Sequence, residues 1–321
     1  MSQSPSPPAP IITSMETVEI EFSAKVFTGF QLFYGVPSFI IMSVLFLHLG
    51  SRKHYTNSFY RLVQVDLLTN MIIYANTWTA IRLEKQPSCI FLLKLVEYYI
   101  PSFLSWSKYL TFFFNNMQFL LAAVLNVHRI SSVLYPMSCE RFWFRYYVLV
   151  SFGFCIYSYL PRFLWASKFT IEVNIVNGTL TKFRYPDVMD QAINVTAIFN
   201  LIYFTAIIII GLTTVLLVSN KVKVISQANS LVKRKLTKIA MTYCLVFAVQ
   251  LAWTTVNSLN SYVKFIPDII LNVNTYILSI VSDLITLALP WILIIHDGNV
   301  QKDILGKKKQ QGTIVVVSSA A

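Results

Sequence analysis

The chain has 321 residues, of which 55% are hydrophobic and only 12% charged, with a mean hydropathy of +0.60. Soluble domains carry about 25% charged residues, so this composition excludes one and indicates a membrane-embedded protein. The net charge of +12 would suit a nucleic-acid partner, but its distribution along the chain, below, leaves no role for nucleic acid.

The first residues open with a Pro/Ser stretch, Ser2–Pro10, without a charged region followed by an apolar one, so no cleavable signal peptide is expected. Residues 1–28 read as an extracellular N-terminal segment. A bilayer-crossing helix needs about 20 mainly apolar residues at about 1.5 Å each. Seven stretches qualify: Gly29–Gly50, Phe59–Ala80, Leu104–Leu125, Tyr146–Trp165, Ala192–Val218, Ile239–Leu259 and Ile269–His296. The fold class expected is an all-α membrane protein, a seven-transmembrane-helix bundle over residues 29–296. Residues 297–321 form the tail. An odd number of spans puts the termini on opposite sides.

Lys and Arg decide which side is which. They concentrate in the connectors after spans one, three, five and seven, including Lys233-Arg234-Lys235 and Lys307-Lys308-Lys309. The positive-inside rule assigns these connectors to the cytoplasm, so the N-terminus is expected outside and the C-terminus in the cytoplasm. The same basic surface complements anionic membrane lipids. The glycosylation signal Asn177-Gly178-Thr179 falls in the longest outer connector and agrees with that orientation. Asn177 is therefore the candidate glycosylation site. Of the four cysteines only Cys89 faces the outside, so no outer disulfide is expected.

Enzyme chemistry has little to stand on. The chain has nine glycines, no nucleophile-elbow, dinucleotide or phosphate-loop motif, and His48, His54, His128 and His296 lack metal-ligand spacing. No cofactor or metal is expected. Two carboxylates in separate spans, Asp66 and Asp283, would suit an intramembrane aspartyl protease. The sequences around them, Val65-Asp66-Leu67 and Ser282-Asp283-Leu284, lack the glycine that such a site needs for close backbone approach.

These two carboxylates still call for partners, because a charge in hydrocarbon costs at least about 2.5–3.5 kcal/mol. Asp66 lies about 10 Å into span two and Asp283 about 20 Å from the end of span seven. Both should face the bundle interior, bonded to water, a cation or polar groups such as Asn70, Asn115, Asn116 or Ser279. A protonated aspartate that only holds helices together is the plainer reading. In the outer halves of spans three, six and seven, Trp106, Tyr109, Trp253, Asn257, Asn274 and Tyr276 offer the aromatic and amide surface that suits a modest-sized, partly apolar ligand. Aromatic residues in a bundle also serve as packing. After span seven, Val300, Ile304 and Leu305 share one helical face, which suits a short amphipathic helix on the inner leaflet; a disordered basic tail with only a topology role fits equally well.

Span three ends in Asn126-Val127-His128-Arg129-Ile130-Ser131-Ser132-Val133-Leu134-Tyr135-Pro136. The arginine with a proline seven residues on resembles the turn that closes the same span in rhodopsin-like G-protein-coupled receptors. The runs Asn57–Asn70, Asn76-Thr77-Trp78, Ile81-Arg82-Leu83-Glu84, Met117-Gln118-Phe119, His128-Arg129-Ile130 and Leu289-Pro290-Trp291 resemble nematode serpentine receptors of class gamma, over about Gln31 to Asp297. The resemblance implies a chemosensory receptor for a small chemical ligand, at the plasma membrane of sensory cells, coupled to a heterotrimeric G protein. Together with the buried carboxylates, it leaves Asp66, Arg129, His128, Asp283 and Pro290 as the candidate switch residues; an arginine that reaches to lipid headgroups is the plainer reading of Arg129. The departures from rhodopsin-like receptors are specific. His128 replaces the acid beside the arginine, span six has no proline, and Leu289-Pro290-Trp291 replaces Asn-Pro. The rival readings are a solute transporter using the buried carboxylates, and a structural membrane protein without signalling. No repeat between the halves favours the first.

Overall fold

The computed structural model describes residues 9–16, 22–164, 169–222, 238, 241–242, 245–256, 259–260 and 267–305. Its helices are α1 (Phe22–Ser51), α2 (Ser58–Thr77), α3 (Pro87–Tyr99), α4 (Phe103–Leu134), α5 (Pro136–Tyr159), α6 (Pro161–Leu164), α7 (Pro186–Val222), α8 (Leu245–Val256), α9 (Asp268–His296) and α10 (Gly298–Leu305). Proline opens four of them, at Pro87, Pro136, Pro161 and Pro186. Its fixed φ suits the first turn, where a missing N–H costs nothing. Windows of α1, α4, α5 with α6, α7 and α9 are each long and apolar enough to cross a membrane. The second expected span corresponds to α2, whose apolar run is interrupted by Gln64, Asp66 and Asn70, and the sixth is described chiefly over α8.

The helices outrun the apolar stretches that reveal them. α1 begins seven residues before Gly29, and α4 continues past Leu125 to Leu134, which draws His128 and Arg129 into the helix. Backbone hydrogen bonding, not hydropathy, decides where a helix stops. In the packing α4 touches α2, α3, α5 and α7, while α1 lies against α2 and α9. Phe119 of α4 sits at the centre, with its ring 5.5 Å from Tyr203 of α7 and 5.3 Å from Phe247 of α8.

One end of the bundle carries a feature absent from the all-helical expectation. A three-stranded antiparallel sheet joins β1 (Ile11–Ser14), β2 (Ile171–Val176) and β3 (Thr179–Arg184) in the order β1-β3-β2. Asn177 and Gly178 form the two-residue turn, at φ 50° and 75°. Left-handed backbone at both positions matches the twist of a hairpin and is cheap for Asn-Gly. The sheet packs Val173 and Leu180 against Ile90, Leu93 and Leu104. This face is the sheet end below, and the opposite face is the tail end.

At the tail end α10 forms as its spacing predicts, but its apolar face turns to the bundle. Val300 is part of the hydrophobic core and Ile304 packs against it. Asp303 accepts hydrogen bonds from His48 (3.1 Å) and Tyr55 (3.1 Å), which clamp α10 to the ends of α1 and the turn after it. Burial and the adjacent carboxylates raise the Tyr55 phenol above its ordinary pKa, so it stays a donor. Lys233-Arg234-Lys235, Lys307-Lys308-Lys309, Cys244 and Trp165 lie outside the described residues.

Candidate functional site

Buried polar groups form three levels along the bundle, and α9 or the residue that follows it, Asp297, contributes to each. The sheet-end level is built on Asp283. After α2 the chain widens into a π turn, Trp78–Arg82, that carries Arg82 inward. π turns of this kind commonly occur at functional sites. The Arg82 guanidinium pairs with Asp283 Oδ1, and the Tyr34 hydroxyl of α1 donates to Oδ2. The partners expected for Asp283 were amides, Ser279, water or a cation; the structure supplies a guanidinium and a phenol. Arg82 also lies over the rings of Tyr74 (5.3 Å) and Trp78 (4.9 Å), where a planar cation is favoured. Gly35 of α1 makes room for this cluster: a side chain there would collide with the Tyr74 hydroxyl.

Asp283 and Tyr34 also border a crevice of about 750 Å³ between α1 and α9, otherwise largely apolar. In it Trp291 donates to Ser38 (3.0 Å), tying α9 to α1 beside two interior prolines, Pro37 and Pro290. Pro290 is buried within α9 and removes one backbone hydrogen bond from it.

The middle level is an amide chain. Asp66, with no exposed surface, accepts from Asn70 Nδ2 (3.1 Å), one turn along α2. Gln118 of α4 donates to Asn70 Oδ1 (2.9 Å) and to Thr286 Oγ1 of α9 (2.9 Å). Beside it Asn115 donates to Asn200 of α7 (3.1 Å) and accepts from Gln250 of α8 (3.3 Å). Four helices, α2, α7, α8 and α9, thus meet around α4. Gln118 is the hub that sequence reasoning passed over. Its only sign there was its place in the run Met117-Gln118-Phe119.

The tail-end level holds His128 and Arg129. His128 Nε2 lies 2.8 Å from Ser58 Oγ, which donates to Glu140 Oε2 (2.7 Å), while the Ser58 backbone N–H donates to Oε1 (2.6 Å). Glu140 of α5 therefore holds the start of α2, where a carboxylate is favoured by the helix dipole. The trio is not a hydrolase relay. Glu140 and His128 contact the same hydroxyl, and His128 Nδ1 has no hydrogen-bond partner among the described residues. Arg129 is 5% exposed, so it does not reach to lipid headgroups. Its guanidinium stacks 3.2 Å from the centre of the Phe59 ring, and it forms no ion pair among the described residues. Close by, Tyr60 of α2 donates to Asp297 (2.5 Å), which also accepts from the Asn299 backbone N–H (2.9 Å) at the start of α10.

Of the proposed ligand-cavity residues, Trp106, Tyr109 and Trp253 have described side chains. Trp106 and Tyr109 of α4 are two walls of a box around Arg162 of α6, at 4.6 and 4.7 Å, with Phe169 at 5.0 Å. The chain's own cation fills the aromatic surface assigned to a ligand. Trp253 is half-buried in α8. Asn257 and the side chains of Asn274 and Tyr276 lie outside the described residues. Asn177 occupies the hairpin turn at the sheet end.

A second charged cluster ties the sheet to the bundle. Glu84, just beyond the π turn, pairs with Lys108 of α4 and, at 3.1 Å, with Lys182 of β3. Burial works to raise its pKa, but the two lysines hold it below the ordinary carboxylate value. The stability from a carboxylate with a depressed pKa is present above its unfolded-state pKa. It is lost as pH falls through the folded value, so this tie persists until the medium is distinctly acid.

Three comparisons bear on this arrangement. Residues 28–304 match the family model described as Srg family chemoreceptor. Serpentine receptor class gamma-47 of Caenorhabditis elegans is 32% identical over 287 residues, covering 89% of this chain and 92% of that protein. Serpentine receptor class gamma-53 of the same organism is 32% identical over 280 residues, covering 85% and 89%. Among solved structures, squid rhodopsin superposes with a TM-score of 0.65 at 15% identity, covering 94% of this chain and 91% of that one. At that identity the likeness establishes the fold alone, a rhodopsin-like seven-helix bundle.

Proposed function

The chain belongs to the Srg family of chemoreceptors, and from that premise we propose that it is a plasma-membrane receptor of sensory cells that binds a small chemical ligand at the sheet end. In this reading it activates a heterotrimeric G protein at the tail end and performs no catalysis. One observation carries the reading. α9 and the residue just past its end are tied to α2 and the π turn that follows it at all three levels, through Asp283 to Arg82, through Thr286 and Gln118 of α4 to Asn70, and through Asp297 to Tyr60. A ligand that prefers a different arrangement of the Asp283 cluster shifts α9 as a unit, and the shift reaches the surroundings of Arg129. Only such differential binding can shift the equilibrium between two arrangements.

The sheet end is outside in this reading, in accord with the charge distribution and with Asn177 in the hairpin turn. Expression in cultured cells with an N-terminal epitope tests both parts. The tag is expected on intact, unpermeabilised cells, and a small-molecule library is expected to yield compounds that trigger G-protein signalling in them and not in mock-transfected cells. A tag seen only after permeabilisation inverts the orientation. Accumulation of a compound in the cells without signalling favours the transporter instead.

Asp66→Asn is expected to leave surface expression near normal, because the amide is isosteric and still accepts from Asn70. It removes the ionisable group from the middle level, so signalling, or its dependence on sodium and pH, is expected to change. Wild-type signalling across those conditions would reduce Asp66 to a helix contact.

A further inference from the structure

α3 has two apolar faces, and the structure covers only one. Ile90 and Leu93 pack on the sheet, with Glu97 beside them. The rotation of the helix is fixed by polar ties in its second half. Glu97 accepts the backbone N–H groups of Ser102 (2.5 Å) and Leu104 (3.0 Å) at the start of α4, and Lys94 pairs with Glu16 (3.2 Å). The opposite face therefore points away from the protein. It presents Phe91, Leu92, Leu95, Tyr98 and Tyr99 at intervals that form one helical stripe. Phe91 is 73% exposed and the two tyrosines 72% each. Contiguous apolar surface of this kind marks a contact site.

Three features identify the contact. At 13 residues α3 is too short to cross a bilayer. Only three residues separate it from α4, a membrane-crossing helix, so its end lies within about 10 Å of the level where that span begins. The exposed stripe carries no charge, and it runs on through Ile100 and Phe103 to Trp106 on the exposed side of α4. Adjacent Tyr and Trp are the side chains that settle at the water–lipid boundary, apolar body in and polar tip out.

We propose that α3 lies in the headgroup–acyl boundary of the leaflet at the sheet end, with Phe91, Leu92, Leu95, Tyr98 and Tyr99 in lipid. An interfacial helix of this kind buries its apolar face about 5–10 Å into that boundary. Its other face then supports the sheet, so the bilayer surface sets the height of the hairpin above the bundle.

Spin labels on the full chain in phosphatidylcholine nanodiscs test this. In a Cys89→Ser background, labels at Tyr98→Cys and at Asn174→Cys, an exposed position of β2, are compared after subtracting the signal of the chain without an introduced cysteine. The Tyr98 label is expected to be several-fold less accessible to a water-soluble nickel chelate, and more accessible to oxygen, than the Asn174 label. Equal nickel access would place the stripe in water and overturn the proposal. Protection from both reagents would put protein on the stripe and overturn it as well. A photo-crosslinking phenylalanine at Phe91, with all native cysteines retained, gives a second readout. Crosslinks to lipid are expected, and crosslinks to another copy of the chain would refute a lipid contact.

Discussion

Arg82→Ala is expected to remove most of the receptor from the cell surface. The substitution leaves Asp283 buried with only the Tyr34 hydroxyl and no opposite charge. Breaking one half of a buried ion pair costs about 3–5 kcal/mol, because the remaining charge stays out of water without compensation. It also removes the cation between Tyr74 and Trp78. Arg82→Lys keeps the charge but not the flat, forked geometry, and an intermediate loss is expected. The informative companion is Arg82→Met with Asp283→Leu. Two apolar side chains of similar volume commonly match or exceed a buried pair in stability, so this double variant is expected to regain surface level. If it then fails to signal, the pair serves switching; if it signals normally, the pair serves stability alone. A normal amount of Arg82→Ala at the surface, measured by flow cytometry of a tagged chain, would contradict the pairing.

The second large effect is expected at Arg129, with the opposite signature. Arg129→Ala is expected to abolish ligand-evoked G-protein signalling while the surface level holds. Arg129 is buried on the Phe59 ring with no ion pair among the described residues, and its Nη2 has no hydrogen-bond partner among them. Removing a charge that is buried without an ion pair among the described residues relieves a desolvation cost that offsets the lost stacking on Phe59, so folding is not expected to suffer. What is lost is a guanidinium, five donors in a rigid fork, held among α2, α4 and the α9–α10 junction and available to a partner when those elements part. G-protein activation measured alongside surface labelling separates the two effects. Full signalling by Arg129→Ala would show that the likeness to the rhodopsin-like turn is one of position and not of mechanism.

Several features were legible because they reside in a single window of sequence. Hydropathy located the membrane-crossing stretches, since an apolar run of that length has few other uses. The Asp66–Asn70 contact followed from i, i+4 spacing, which places two side chains on one face of any helix. The hairpin was equally local. Asn177-Gly178 between two strand-forming runs is a strong turn signal, although the same residues also carry a glycosylation signal. The α10 helix was visible in the spacing of Val300 and Ile304, although not that the bundle, rather than a leaflet, would receive them.

The sequence by itself determined the environment, the approximate spans, the tilt of charge toward one side and the residues that had to be buried with partners. Only the tertiary structure decided who those partners are. Asp283 and Arg82 are 201 residues apart, and Arg82 reads as a connector residue until the π turn carries it inward. The box around Arg162 joins side chains of α4 and α6 with Phe169, and Gln118 joins α4 to both α2 and α9. Each of these contacts depends on how two helices are rotated and how far one slides past the other. Close packing of the whole core fixes those quantities, and no local window contains them.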